Sequence, residues 1–406
     1  MREIILISFL GPDQPNQFTR LMQVLSAHSL QILDVGQAVI HNQLTLGIVV
    51  ASEDQTATAL AMKEILILAH DIGLTVRFKP ISATEYDQWV KEGGRTRYIV
   101  TALAPELNAS HLQAVTQIVS AQGFNIETGT RLSGRPALDG HSSGPKRACV
   151  EFGLKGQMLD AAAMRAACLR LSTELNVDVA VQEDNAYRRN RRLVCFDMDS
   201  TLIEQEVIDE LAIEAGVGAQ VAEITERAMQ GELDFQQSFR ARVALLKGMD
   251  ASVLPKIAER LTITEGAERL ISTLKALGYR TAILSGGFQY FAEYLQSKLD
   301  IDEVHANALD VQDGVVTGEV KGHIVDGARK AFLLGEIAQE MGISLEQTIA
   351  VGDGANDLPM LSIAGLGVAF RAKPLVRQNA NQAISSVGLD GVLYLLGVHD
   401  KDLNRA

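Results

Sequence analysis

LVCFDMDST, Leu193 to Thr201, is the stretch whose reading decides the fold. A short apolar run, enough for one buried strand, leads into Asp197 and Asp199 and then a Ser-Thr pair. Residues i and i+2 of a strand project to the same side. The two carboxylates are therefore aimed together at the strand's C-terminal end, where open α/β sheets place their chemistry. One can attack while the other donates a proton. That layout suits an enzyme that passes a phosphoryl group through an aspartate.

Downstream, RTAILSGG, TIAVGDG and GLGVAF are further short apolar runs, most ending in Gly, Ser or Asp, with helical stretches between them. The pattern predicts an α/β domain over 190–398 built on a doubly wound parallel sheet. Residues from about 206 to 261 carry no strand pattern and read as an inserted helical cap.

Three companions of the aspartate pair carry chemistry. LSGG, Leu284 to Gly287, follows a predicted strand. Its hydroxyl and backbone N–H groups can receive a phosphate, and glycine permits close approach. Lys330 sits on a predicted helix beginning near Ala328, where it could neutralise phosphate and carboxylate; a solvated surface lysine is the other reading, and Arg329 is adjacent. VGDGANDLPM, Val351 to Met360, adds Asp353 and Asp357 with Asn356 in a Gly-rich loop. Carboxylate oxygens suit a hard divalent cation such as magnesium. The spacing of an EF-hand calcium loop is absent.

Taken in order on successive βα units, these four motifs resemble the haloacid dehalogenase (HAD) superfamily of phosphotransferases. DMDSTLIEQEVIDELA, AMQGELDFQQSFRARV, SGGF, DGVVTGEV and GDGANDLPM resemble the phosphoserine phosphatase family over essentially the whole of this block. The resemblance implies Mg²⁺-dependent hydrolysis of O-phospho-L-serine to L-serine, the last step of serine biosynthesis. It makes Asp197 the nucleophile and Asp199 the general acid, then the base. It assigns Mg²⁺ to Asp197, Asp353 and a main-chain carbonyl of Met198 or Asp199, with Asp199 favoured. Ser285, Gly286 and Lys330 would hold the phosphoryl oxygens, and Asn356 and Asp357 would complete the loop around metal and phosphate.

In the cap, the same resemblance gives Glu206 the substrate ammonium and Arg242 the substrate carboxylate, the latter through paired N–H···O bonds. Met229 and Phe235 would shield the site from water. On residue physics alone, Glu206 also fits a helix first-turn carboxylate, Arg242 a solvated helix residue, and Met229 and Phe235 plain core. Two rival functions remain open on the sequence. One is a phosphatase of the same superfamily for another small phosphorylated metabolite; the other is an amino-acid-sensing regulator whose catalytic domain has decayed.

The front half repeats itself. Residues 1–84 and 96–184 each read β-α-β-β-α-β, an internal duplication of a ferredoxin-like unit. A polar connector, Glu85 to Arg95, separates them, and Gly134 to Pro145 is a Gly/Pro/Ser-rich hairpin loop expected to be mobile. The pair resembles tandem ACT domains through this element order and the Gly-Pro-Asp-x-Pro turn, which the second copy replaces with APELN, Ala104 to Asn108. That resemblance implies L-serine or another amino acid as a regulatory ligand near Asp13, Asn16 and Asp34, and a homodimer. Dimerisation alone is the plainer role.

The net charge of −13 is uneven. Up to Asn190 there are 17 basic and 19 acidic residues, and from Arg191 onward 20 and 31. An acidic domain without a basic stripe argues against nucleic acid, and an anionic substrate there calls for a local cation. No apolar run reaches the roughly 18 to 20 residues of a membrane span, and the N-terminus lacks the marks of a signal peptide. Cys149, Cys168 and Cys195 are scattered and odd in number, which predicts free thiols in a reducing cytoplasm.

Overall fold

The computed structural model describes residues 2–92, 96–136 and 146–403. Most of the Gly134–Pro145 loop lies outside them. The chain divides into two compact units, Met1–Arg95 and Thr96–Ala406.

The first unit runs β1 (Glu3–Pro12), α1 (Gln17–Ala27), β2 (Gln31–Ile40), β3 (Gln43–Ser52), α2 (Gln55–Asp71), β4 (Thr75–Ile81) and α3 (Ala83–Glu92). Its antiparallel sheet has the order β2-β3-β1-β4. Alternate residues of β1 (Ile5, Ile7, Phe9) meet Leu21 and Leu25 of α1 and Ile65 of α2 in one core, as a period of two requires. The turn after β1 is fastened by buried Gln17, whose Nε2 donates to the carbonyls of Pro12 and Ile72. Gly11 is needed there because a Cβ would stand 2.7 Å from the Gly73 carbonyl oxygen.

The connector is a correction to the sequence reading: Glu85 to Glu92 belongs to α3 and not to an irregular linker. Ser82 and Glu85 form the reciprocal bonds of a capping box. Tyr86 packs against Ile4, Val49 and Ala51 on the sheet face opposite α1 and α2.

The second unit opens with the repeat: β5 (Arg97–Ala104), α4 (Ala109–Ala121), β6 (Asn125–Arg131), β7 (Ala148–Lys155), α5 (Ala161–Leu175) and β8 (Asp178–Glu183). The order β6-β7-β5-β8 reproduces the first sheet. Asn108 and Asp160 cap α4 and α5.

The larger sheet follows: β9 (Leu193–Phe196), then cap helices α6 (Val207–Glu214), α7 (Gly218–Met229), α8 (Phe235–Ala244) and α9 (Val253–Arg260). After these come α10 (Ala267–Ala276), β10 (Arg280–Phe288), α11 (Gln289–Leu299), β11 (Glu303–Gln312), β12 (Val315–Lys321) and α12 (Gly327–Glu340). The chain continues through β13 (Thr348–Gly352), α13 (Leu358–Ile363), β14 (Leu366–Phe370), α14 (Pro374–Asn379), β15 (Gln382–Ile384) and α15 (Val392–Leu395). The order is β12-β11-β10-β9-β13-β14-β15. All pairings are parallel except β11 with β12. The antiparallel hairpin and β15 were not read from the sequence.

β9 lies inside the sheet, between β10 and β13. Val194 and Phe196 face one core with the cap, α10 and α11, while Leu193 and Cys195 face another with α12 and α13. The cap leaves and returns at one place: an Ile203–Ile263 bridge, with Glu204 N–H donating to Thr262 O and Thr264 N–H to Leu202 O.

The repeat packs on the larger sheet. Leu103, Cys149 and Ala180 share a core with Val387, Leu389 and α15. The edge strands β8 and β15 meet through a side chain: Val181 N–H donates to Gln382 Oε1 at 3.0 Å, and Gln382 Nε2 donates to Val181 O at 2.6 Å. Asp178 accepts from the Ser385 and Ser386 N–H groups beside it. All three cysteines are free and buried. No helix among the described residues is long and apolar enough to cross a membrane.

Candidate active site

β9 ends as planned by its sequence. Asp197 N–H donates to Val351 O of β13 at 2.9 Å, which fixes the first aspartate at the strand end. The chain then turns sharply. Ser200 takes a left-handed conformation (φ 57°), and the N–H groups of Thr201, Leu202 and Ile203 all converge on the Met198 carbonyl. That carbonyl is thereby occupied, while the Asp199 carbonyl accepts no backbone N–H among the described residues.

The pairing of β10 with β11 shifts register between Leu284 and Phe288, so Ser285, Gly286 and Gly287 leave that ladder. Ser285 is fully buried and its Oγ accepts from Gly287 N–H at 2.9 Å. Asn307 of β11 holds the loop from the other side, donating to Gly286 O and accepting from Val325 N–H. A Cβ on Gly287 would stand 2.6 Å from Asp199 Oδ2. The glycine is there for close approach.

Lys330 of α12 is completely buried, which rules out the surface-lysine reading. Its Nζ donates to Asp197 Oδ1 at 2.7 Å and Asp357 Oδ1 at 2.6 Å. Asp357 Oδ2 accepts in turn from Gly354 N–H at 2.9 Å. Burial works against the lysine's charge, but the two aspartates hold it above its ordinary value.

A cavity of about 290 Å³ gathers Asp197, Asp199, Glu206, Phe235, Arg242, Gly286, Asp353 and Asn356. Eight of the residues expected from the sequence thus share one space. Ser285, Lys330 and Asp357 are buried and are not among its lining residues, and Lys330 is bonded to Asp197 of that lining. The side chain of Met229 lies outside the described residues.

The charges in this space are crowded. Burial pushes Asp197 well above the usual carboxylate range, and Asp357 adds to this. Burial also raises Asp199, helped by Glu206 and Asp197. Asp353 is pushed up to about 7 by burial, Asp357 and Glu206. Burial lowers Arg242, while Glu206 and Asp209 pull it back up. Its buried Nε has no partner among the described residues. Glu206 precedes α6 as its N-cap and accepts from Ser200 Oγ at 2.8 Å, so it is not inside the helix. Phe235 stacks on Phe239 at 6.0 Å, and Phe239 tilts against Phe288 at 5.6 Å.

Asp197, Asp353 and Asp357 offer carboxylate oxygens that all lie within 4.8 Å of one another, a group able to hold a metal ion. Hard oxygen donors at this spacing fit a divalent cation. Of the three, Asp357 is the least free, since Lys330 and Gly354 already take its oxygens.

Sequence reasoning missed Lys373, which lines the cavity and holds Asp353 down against the raising effects. Its signal was its place, three residues past the end of β14, at the same sheet edge as the aspartates. Asp209, Thr225 and Phe239 also line the cavity and carried no motif. The three regulatory candidates are all exposed and are not brought together. Asp34 pairs with Val49 of β3, whereas Pro12, next to Asp13, pairs with Gln43. Six strand positions separate them, about 20 Å at the usual rise.

The chain is similar to known proteins in both halves. A model of haloacid dehalogenase-like hydrolases matches residues 194–362, and a model of ACT domains matches residues 3–79. A phosphoserine phosphatase of Streptomyces coelicolor is 40% identical over 99% of this chain and 94% of its own length. One from Mycobacterium tuberculosis is 39% identical over 99% and 95%. An unliganded crystal structure of a probable phosphoserine phosphatase from Vibrio cholerae superposes with a TM-score of 0.59 at 34% identity, covering 77% of this chain and 90% of that one.

Proposed function

The chain belongs to the phosphoserine phosphatase family, and from that premise we propose that it hydrolyses O-phospho-L-serine through an aspartyl-phosphate on Asp197. One observation carries the reading. The cavity that holds the Asp197–Asp199 pair also holds Glu206 and Arg242, opposite charges suited to an amino acid's ammonium and carboxylate. A phosphoester lacking either group would leave one of the two charges without its partner.

Asp197 attacks phosphorus as the bond to the serine oxygen breaks. Asp199 gives its proton to that oxygen, and its raised pKa keeps the proton available. The Asp199 carboxylate then takes a proton from the water that attacks the aspartyl-phosphate. Phosphate leaves and the Asp197 carboxylate is restored. Lys330, Ser285 and the Gly286 loop would offer positive charge and N–H groups to the transferring oxygens. Phe235 and the cap keep water from the site. Asp197, Asp353 and the Asp199 carbonyl would hold Mg²⁺, which supplies positive charge against the phosphoryl group when bound.

The ACT-like front half is assigned a small-molecule regulator, with L-serine the first candidate, and a homodimeric assembly. Support for the latter is the open edge strand β2, where Ile32, Val35, Val39 and Ile40 are exposed. Three free thiols suit a cytoplasmic location.

The test is phosphate release by the full chain with Mg²⁺, comparing O-phospho-L-serine with a panel of small phosphoesters. Phosphoserine is expected to lead by at least about a hundredfold in kcat/KM. A better substrate without the amino-acid ends would overturn the assignment.

A further inference from the structure

A second cavity, about 300 Å³, opens between α5 and β8 of the repeat and α14 and β15 of the larger sheet. Its lining shares no residue with that of the active-site cavity. Two arginines that are buried or half-buried, Arg191 and Arg377, line it beside the exposed Arg165. Arg191 is 5% exposed, and its guanidinium donates only to neutral oxygens: Arg188 O, Gln182 Oε1 and Gly365 O. Its Nε finds no partner among the described residues, nor does the buried Nε of Arg377 on α14. Neither arginine forms an ion pair among the described residues. The buried acid on the wall, Asp178, is taken up by Ser172, Ser385 and Ser386.

A buried cation without a counter-charge is expensive. Burial lowers the Arg191 pKa to about 10, the direction of a guanidinium lacking an anion. The wall is mixed: Met164, Cys168 and Leu366 are buried and Met158 is half-buried, while Gln182, Glu183, Asn185 and Asn381 supply polar groups. A planar guanidinium takes two carboxylate oxygens in parallel, and methionine-rich walls adapt to short aliphatic chains. The volume is at the small end of ligand sites.

We infer that this cavity binds a small aliphatic carboxylate, its oxygens on Arg191 and Arg377 and its chain against Met158, Met164 and Leu366. The site adjoins the catalytic one through a single short element. Lys373, which lines the active-site cavity, is the N-cap of α14, and Arg377 lies four residues further on. An occupant that holds Arg377 therefore bears on where Lys373 sits.

The experiment is calorimetric titration of the full chain with acetate, propionate, butyrate and inorganic phosphate, repeated with Arg191→Met, Arg377→Met and Asp197→Asn. Butyrate is expected to bind more tightly than acetate. Each arginine variant should weaken it by about tenfold or more, and Asp197→Asn should leave it unchanged. Arg377 is only partly buried, so its variant keeps the test valid if Arg191→Met does not fold. No heat from any carboxylate up to about 10 mM, affinity in both arginine variants equal to the parent's, or binding of phosphate alone would each overturn the site. A second arm rests on the hydrolytic reading: saturating butyrate should change the KM for phosphoserine by about threefold or more in the parent and not in Arg377→Met. An unchanged KM would remove the coupling to the active site and leave the binding result standing.

Discussion

Lys330 Nζ stands 2.7 Å from Asp197 Oδ1 in an interior that leaves the lysine no exposure. On the proposed mechanism, the pair accounts for how an anionic nucleophile would be tolerated inside an acidic domain. The carboxylate that would approach a phosphate is bonded to a buried lysine, and Asp357 bonds the same lysine.

Asp197→Asn removes the attacking oxygen while keeping the side chain's shape. Turnover should be abolished, and no acid-stable phosphate label should remain on the protein after quenching with substrate. Near-native turnover would end the covalent route.

Asp199→Asn keeps the turn and removes the proton. General acid catalysis is typically worth about 10² to 10⁴, so kcat should fall by that order while circular dichroism stays that of the parent. A phosphoester with a better leaving group should recover most of the first step. Failure to recover would place the role of Asp199 elsewhere.

Arg242→Lys keeps the charge and loses the planar fork. KM for phosphoserine should rise about tenfold or more, with a smaller change in kcat. O-phosphoethanolamine, which lacks the carboxylate, should be hydrolysed equally by parent and variant. An equal penalty on both substrates would show that Arg242 does not hold the carboxylate.

Gly286→Ala would put a Cβ 2.7 Å from Phe235 Cζ and 3.4 Å from Val325 O. Overpacking of this kind costs about 1–3 kcal/mol. Because Phe235 stacks on Phe239, the ring cannot move alone. The variant should lose activity with a modest fall in Tm, and Phe235→Leu in the same chain should restore part of it. No rescue would locate the damage in the backbone instead.

Stability should depend on pH through the same carboxylates. Asp197, Asp199 and Asp353 are all raised in the folded chain, Asp353 to about 7. The folded state of the metal-free protein therefore holds protons that the unfolded state, with aspartates near the usual value of about 3.9, has released. The stability this gives is complete below that lower value and is lost as pH rises through about 7. In chelator, Tm should fall between about pH 5 and pH 8. Added Mg²⁺ should raise it more at the upper end, since an ion that binds only the folded form stabilises by mass action. A chelated protein whose Tm climbed over that interval would contradict the crowding of charge at the site.

The chemistry was legible where backbone and motif coincide. A strand running into Asp197 and Asp199, the Ser285–Gly287 stretch late in β10 and the Gly352–Asp357 loop are each local, and period and composition suffice to find them. Lys373, Asp209 and Thr225 were not legible because their roles depend on where the cap and α14 fold back. Glu85 was misread for a different reason: a helix with few apolar residues resembles a linker unless its capping box is noticed. The turn of the β11–β12 hairpin and most of β12 lie in DGVVTGEV, which carried a family likeness but was not read as a strand. The spread of Asp13 and Asp34 along the first sheet shows the limit of turn chemistry, which marks a bend and says nothing of what faces it.

The amide of Gln382 is the shape of a peptide group, and it bonds Val181 on both its polar atoms as a neighbouring strand would. Strands β8 and β15 each end a sheet, and an unpaired strand margin is a template for foreign chains. Here the two margins close on each other. Replacing Gln382 with a residue that cannot mimic a peptide would reopen both at once, and the first symptom of such a variant would be self-association during expression rather than a loss of catalysis.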